Sequence, residues 1–599
     1  MRVTPARAAG LIVLAAAGAM LAGLPGAAVS GGAPVPDGTY GFIAKVEVGT
    51  VHGCSGALVA PQWVITSGTC FPENAGVAGT PKVAAKATVS GQSVSIVDLL
   101  FRSDRNVALA KLAKPVAGVT PVAPGTTAPA NNELLRVAGY GRTNADWVPD
   151  KPHSATVSVQ SSTDTTMAVI GNPQPAAITC QGDAGGPALR ERDGTVQLVA
   201  IHHSSWQTGC LGSTETRQGG VETRVDNIAD WIGQHTRGDA YTALPAMKRI
   251  LDTRTELGGH NKALTGGESV DIAVPDLPKG ASAVAVDLIG TEATASTYLT
   301  AYGDEAKGST LNLAPGRAAA VMAIVPVGVD GKIRVRNNSG SVHAIVDFLG
   351  YYSASGESTY QPKDKPDLIL DTRTSLGGHQ RPVNGGEVVT LPIRGVAGVP
   401  SNAVAVAVNI TGTESTMENF FTVFAQGSPA LSSLNLVKGE DRATQSLVRI
   451  GDDGQIRVSL NAGQAHLLVS VVGYFVPGDG GSRFQVLPAT NRFYDSRVTA
   501  QHGFGPGEIR TVTVPGLPAQ ATAVALGVVG IAPTGNTFLT LWNPGIAYSG
   551  AIPSTINITK GEDTANAATV RLDSQARINI RNAGNAIDAL TDLQGYYTR

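Results

Sequence analysis

Gly182-Asp183-Ala184-Gly185-Gly186-Pro187 is the stretch on which the fold of this 599-residue chain is decided. Its middle residue, Ala184, carries a methyl group and no oxygen. Upstream lies Cys54-Ser55-Gly56-Ala57-Leu58-Val59-Ala60-Pro61-Gln62-Trp63-Val64-Ile65-Thr66, which continues into Ser67-Gly68-Thr69-Cys70. Asn106-Val107-Ala108-Leu109-Ala110-Lys111-Leu112 follows. Downstream come Ser204-Ser205-Trp206, Cys210 and Gly219-Gly220-Val221-Glu222-Thr223-Arg224-Val225. From Asp226 to His235 the apolar residues Ile228, Trp231 and Ile232 fall with Val225 on one helical face.

In this order the stretches resemble the trypsin-like serine protease family over residues 29–237. The resemblance implies a chymotrypsin-like double β-barrel. It also places each residue of the catalytic triad. The family's G-D-S-G-G-P has Ala184 in place of the nucleophile, its T-A-A-H-C has Thr69 in place of the general base, and its D-I-A-L-L-K-L has Asn106 in place of the orienting acid. Acyl transfer by a hydroxyl needs an oxygen nucleophile, a base of near-neutral pKa and an acceptor that fixes the base's tautomer. Alanine cannot be the first nor threonine the second, and asparagine would hold an imidazole in the wrong tautomer. The expectation is a protease scaffold without its chemistry. A relocated triad has two sources of residues. Asp104 lies two residues from Asn106, too far along an extended chain to replace it. His202, His203, Ser204 and Ser205 form a cluster with no orienting acid beside them, so the histidines are expected in a bulge or exposed loop.

The resemblance assigns what remains. The backbone N–H groups of Gly182 and Ala184 would form the oxyanion hole. The primary pocket would be lined by Ile178, Ser205, Trp206, Gln207 and Gly220, with Gln207 partly filling a small, apolar slot. Cys54 would pair with Cys70 and Cys180 with Cys210. Asp183 would bind the ammonium of a newly freed N-terminus at Val29, or else bond nearby backbone.

Residues 1–28 read as an export signal: Arg2 and Arg7, an apolar run from Leu11 to Leu24, and Gly26-Ala27-Ala28 as a small-residue cleavage site. The mature chain would be secreted, with no membrane span. A net charge of -2 argues against a general nucleic-acid binder. No cofactor and no metal site are expected, since no His-Cys spacing is that of a zinc site.

The rest of the chain is a three-fold repeat. Leu251-Asp252-Thr253-Arg254, Leu370-Asp371-Thr372-Arg373 and Tyr494-Asp495-Ser496-Arg497 open the copies. Gly350-Tyr351-Tyr352, Gly473-Tyr474-Phe475 and Gly595-Tyr596-Tyr597 close them. Period-2 hydrophobicity predicts tandem antiparallel β domains over 243–354, 362–477 and 483–599, sandwiches by first choice and barrels by second, joined by Gly/Ser linkers. Asp252 and Arg254 are expected to share a strand face and to play a structural part. The copies resemble modules on secreted actinobacterial proteins, which implies attachment to a cell wall or surface polymer. Three functions follow as candidates: a secreted pseudoprotease binding a protein or peptide, an active serine endopeptidase with a rearranged site, and a structural or adhesive surface protein.

Overall fold

A computed structural model describes residues 32–599 apart from 51, 114, 117, 174–178, 428–430, 501, 519 and 548–551. The expected signal peptide, Val29 and Ile178 lie outside the described residues. The described chain is all-β, as expected. Strands such as His153–Ser162 alternate and turn one apolar face inward, while Ala283–Thr291 and Ala405–Thr413 are buried on both faces.

Six strands close the first barrel in the order Ile43–Val48, His52–Ala60, Trp63–Thr66, Ala108–Leu112, Gln92–Phe101 and Ala85–Val89. Val46, Leu58, Val64 and Leu109 fill it. The second barrel runs His153–Ser162, Thr166–Gly171, Gly220–Arg224, Thr195–Ser205, Pro187–Arg192 and Leu134–Gly139, and closes through the pairing of His153–Ser162 with Leu134–Gly139. This is the double barrel of the chymotrypsin fold. A short helix, Ala229–Thr236, follows it and buries Ile232. Disulfides join Cys54 to Cys70 and Cys180 to Cys210.

Each repeat is a sandwich of two four-stranded antiparallel layers. In the third copy these are Arg483–Asp495, Asp588–Thr598, Ala521–Ile531 and Thr564–Arg571 against Ile509–Thr513, Arg577–Asn582, Thr537–Trp542 and Ile556–Ile558. The opening strands of the first two copies begin at Ala240 and Ser358, earlier than the expected 243 and 362. The expected linkers are tight connections with Ser353, Ser358 and Ser482 buried. Tyr241 pairs with Ser358, so one sheet runs through the first two copies.

The reason lies at the centre. Tyr241, Tyr352, Phe484, Tyr597, Tyr360 and Phe475 form a closed ring, with successive centroids 4.5 to 4.9 Å apart. Each copy contributes its opening and its closing aromatic. The glycine of each Gly-Tyr-aromatic ending leaves room for the opening ring. A Cβ at Gly473 would lie 2.1 Å from the Tyr360 hydroxyl, and one at Gly595 2.4 Å from the Phe484 ring. A second point of convergence lies at the other end of the sandwiches. Arg317, Glu440 and Glu562 occupy equivalent positions, and Arg317 Nη1 stands 2.6 Å from both carboxylates. The three sandwiches therefore surround one pseudo-three-fold axis. The protease-like barrels join at its aromatic end, where Asp239 and Phe484 exchange backbone hydrogen bonds of 2.7 Å.

Candidate functional site

The packing of the two barrels brings the three triad positions into one neighbourhood. Gly68–Cys70 forms a single 3-10 turn that carries Thr69, tied down by the Cys54–Cys70 bridge. Thr69 and Ser67 share a hydroxyl hydrogen bond of 2.7 Å. The Thr69 N–H donates to Asn106 Oδ1 at 3.0 Å, while Asn106 Nδ2 is buried without a partner among the described residues. Asn106 thus caps the turn where a base would stand and keeps a spare donor. Ala184 packs against the first-barrel core, and its carbonyl accepts from the Ser55 N–H at 2.9 Å.

Asp104 does not enter this neighbourhood. It is held by Arg102 at 2.7 Å and Arg105 at 3.0 Å on the surface, and the Arg102 guanidinium keeps its carboxyl well below the usual range.

The loop around Ala184 is held by Asp183, which is fully buried. Its Oδ1 accepts from the Gly141 N–H at 2.7 Å and its Oδ2 from the Cys180 N–H at 2.8 Å. Burial pushes its carboxyl up to about 6, against the pull of these hydrogen bonds and of nearby His202. Glycines make the space for it: a Cβ at Gly139 would lie 2.2 Å from Asp183 Oδ1, and one at Gly141 2.5 Å from its carboxyl carbon. Gly182 takes a φ of +100°, a conformation that L side chains resist. Neither its N–H nor that of Ala184 is engaged among the described residues.

The described pocket positions are tied together by hydrogen bonds. The Ser205 hydroxyl donates to the Thr179 carbonyl at 2.5 Å, and Ser205 faces Gly220 across the two walls. Gln207, at φ +64°, lays its side chain across the mouth. Its Nε2 donates to Ser205 Oγ at 2.7 Å, and its Oε1 accepts from the Gln181 N–H at 2.7 Å and from Arg142 Nη2 at 3.2 Å. Trp206 is exposed, with the Arg217 guanidinium stacked 3.8 Å from its ring.

One step deeper, His202 and Glu222 face each other across the paired strands, both buried. His202 Nδ1 lies 3.0 Å from Glu222 Oε1 and 2.9 Å from Thr179 Oγ1. One expectation is corrected here: His202 is buried and has an acid, Glu222, beside it. The bulge is present, between His202 and Ser204. Glu222 carried little signal in the sequence, where it is one of two charges, with Arg224, between Gly219 and Val225. No group of His, Cys, Asp and Glu among the described residues is arranged to hold a metal ion.

Comparison with known proteins agrees with this geometry. The Trypsin family matches residues 29–232. Mouse serine protease 56 is 26% identical over 257 residues, which span 37% of this chain and 41% of that protein. The snake venom serine protease Dav-X of Deinagkistrodon acutus is 26% identical over 216 residues, 32% of this chain and 80% of the venom protein. Serine protease 1 of Rattus norvegicus is 27% identical over 227 residues, 34% of this chain and 88% of the rat protein. Residues 29–232 are a trypsin-like serine protease domain.

Proposed function

We propose that this chain is a secreted, catalytically silent serine protease homologue whose cleft binds a protein or peptide and whose repeat body attaches it to a surface polymer. The observation that carries this is Ala184. A methyl group stands at the nucleophile position of a loop that is otherwise fully braced by Asp183. The Thr69–Asn106 pair opposite it offers no base. Where triad residues have been removed from proteases of this mechanism, only about 10³ to 10⁴-fold acceleration over water remains. Binding is a different matter. A carbonyl needs only the backbone donors of Gly182 and Ala184, which do not depend on the side chain at 184. Two disulfides and the export signal at residues 1–28 support secretion.

A second reading, an endopeptidase with a rearranged site, has the His202–Glu222 pair in its favour. The hydroxyl on that histidine belongs to Thr179, and both residues are buried, which leaves no approach for a peptide carbonyl. Stoichiometric labelling of the mature protein by a serine-directed fluorophosphonate, or cleavage of an unbiased peptide library, would decide for this second reading. Silence in both, together with retention of a defined peptide or protein from culture supernatant, is the expected result. Thr69→His, Asn106→Asp and Ala184→Ser combined should bring back measurable esterase activity, because Asp183 already braces the loop that would carry the new serine.

A further inference from the structure

The three opening strands run from the aromatic ring to one kind of turn at the far end of the repeat body, built on Asp252, Asp371 and Asp495. In each, the carboxylate accepts from the arginine two residues on: from its backbone N–H at 3.0 to 3.1 Å, its Nε at 2.9 to 3.0 Å and its Nη2 at 2.8 to 2.9 Å. The arginine stands in the turn or in the short helix beyond the strand, so the pair acts as a hook rather than as two groups on one strand face. The intervening hydroxyl of Thr253, Thr372 or Ser496 is buried and accepts from a closing-strand N–H at 2.9 to 3.1 Å. The hooks are rigidly mounted.

Fixing the turn requires only the aspartate and a backbone N–H. The arginine side chains are 42, 43 and 47% exposed, and an ion pair so exposed adds little to stability. Each leaves its Nη1 without a bond among the described residues. Stability alone therefore does not account for three identical copies. Inside the sandwiches the copies have diverged. The ion pairs Arg249–Asp347 and Arg492–Asp592 become Leu368 opposite Ser470 in the second copy.

The surroundings define the ligand chemistry. Each arginine is already paired with its aspartate, and further acids act on it: Glu292 on Arg254, Asp441 and Glu414 on Arg373, Asp588 and Asp563 on Arg497. Arg249, 3.3 Å from Asp252, and Arg492, near Asp495, add a second guanidinium to two of the hooks, but acids outnumber arginines at each, which disfavours an anionic polymer. What each hook offers is the free Nη1 edge of an arginine held in plane by an aspartate whose oxygens are already bonded and only 6 to 13% exposed, with an exposed apolar side chain, Leu257, Leu376 or Val498, close by in sequence. That combination suits hydroxyl groups and the C–H face of an uncharged sugar. Asp441 and Asp563 directly follow Glu440 and Glu562 on the axis, so the hooks gather around the axis at the end away from the barrels.

We propose that this free end is a trivalent binding surface for a neutral, hydroxyl-rich polysaccharide, each hook taking a sugar unit, which rests on the polymer-attachment role proposed above and gives it a site. Single sites without aromatic platforms bind weakly. Three on one rigid body gain through effective concentration.

The test is binding of the full mature chain to immobilised neutral polysaccharides (glucans, mannans, galactans and arabinans) with polygalacturonate and hyaluronate as acidic probes. Retention on at least one neutral polymer is expected. Arg254→Ala should weaken it several-fold, and Arg254→Ala, Arg373→Ala and Arg497→Ala together about 100-fold or more. The triple lysine variant, which keeps charge but not the planar fork, should lose nearly as much. Retention on acidic probes alone, on none, or undiminished in the folded triple alanine variant would overturn the proposal. Capture of peptide or protein by the cleft is measured on the same variants. It should be unchanged, so failure of the hooks and failure of the cleft are read separately.

Discussion

The protease-like domain and the repeat body have been altered in opposite ways. In the first, the glycines that admit Asp183, its two N–H donors and both disulfides surround the methyl group of Ala184. In the second, the arginine–aspartate pairs of the first and third copies give way to Leu368 and Ser470 in the second, while the hook arginine stays in the same place three times. The proposed roles follow this contrast, a cleft for the barrels and a surface for the repeats.

The largest effect should come from the axis. Tyr360→Ala removes a ring that touches Phe475 and Tyr597, and loss of a buried aromatic typically costs about 3 to 5 kcal/mol. All three sandwiches should then melt earlier and together, by calorimetry. Loss of one sandwich alone would show that the axis does not couple them. Next in size, Gly139→Ala sets a methyl against Asp183 and should lower barrel stability by about 1 to 3 kcal/mol. Urea unfolding followed by Trp fluorescence and by circular dichroism should show the barrels shifted and the repeats unmoved.

A comparable effect has a pH signature. Burial raises the Asp183 carboxyl from 3.8 to about 6, so the unfolded chain gives up this proton first. Its contribution to stability is full below about pH 4 and is lost as the pH rises to about 6. Asp183→Asn should flatten that part of the barrel's stability profile, and an unchanged slope would assign it to other groups. The smallest effect is expected at the mouth of the slot. Gln207→Gly relieves a left-handed conformation while losing three hydrogen bonds, with a net change within about 1 kcal/mol. The Gln181 amide loses its acceptor and should exchange about tenfold faster with solvent.

The double barrel was legible because its motifs are local: a turn, a cysteine and a short strand each leave a mark within a few residues. The sandwiches were legible from period-2 alternation. Their arrangement was not. A repeat of similar copies says that domains follow one another, and the ring that joins them depends on Tyr241, Tyr360 and Phe484, single aromatics just outside the expected boundaries or at their edge. The His202–Glu222 pair was missed because strand pairing, not sequence proximity, brings together residues twenty positions apart. The expected Val29–Asp183 pairing and the Ile178 floor lie at residues outside those described. For Asp183 the backbone donors of Gly141 and Cys180 are what the described residues supply.

The opening strands run along the axis, from the aromatic ring beside the barrels to the hooks. If the molecule is held at its free end while the barrels are dragged by flow or by a bound partner, tension lies along those strands. Their ladder hydrogen bonds to the closing strands are perpendicular to it. A strand pulled at both of its own ends carries the tension in its covalent backbone, and the perpendicular ladder bonds keep it straight and in register without bearing the load. The repeat body is thus built as a short, stiff strut that resists being pulled lengthwise.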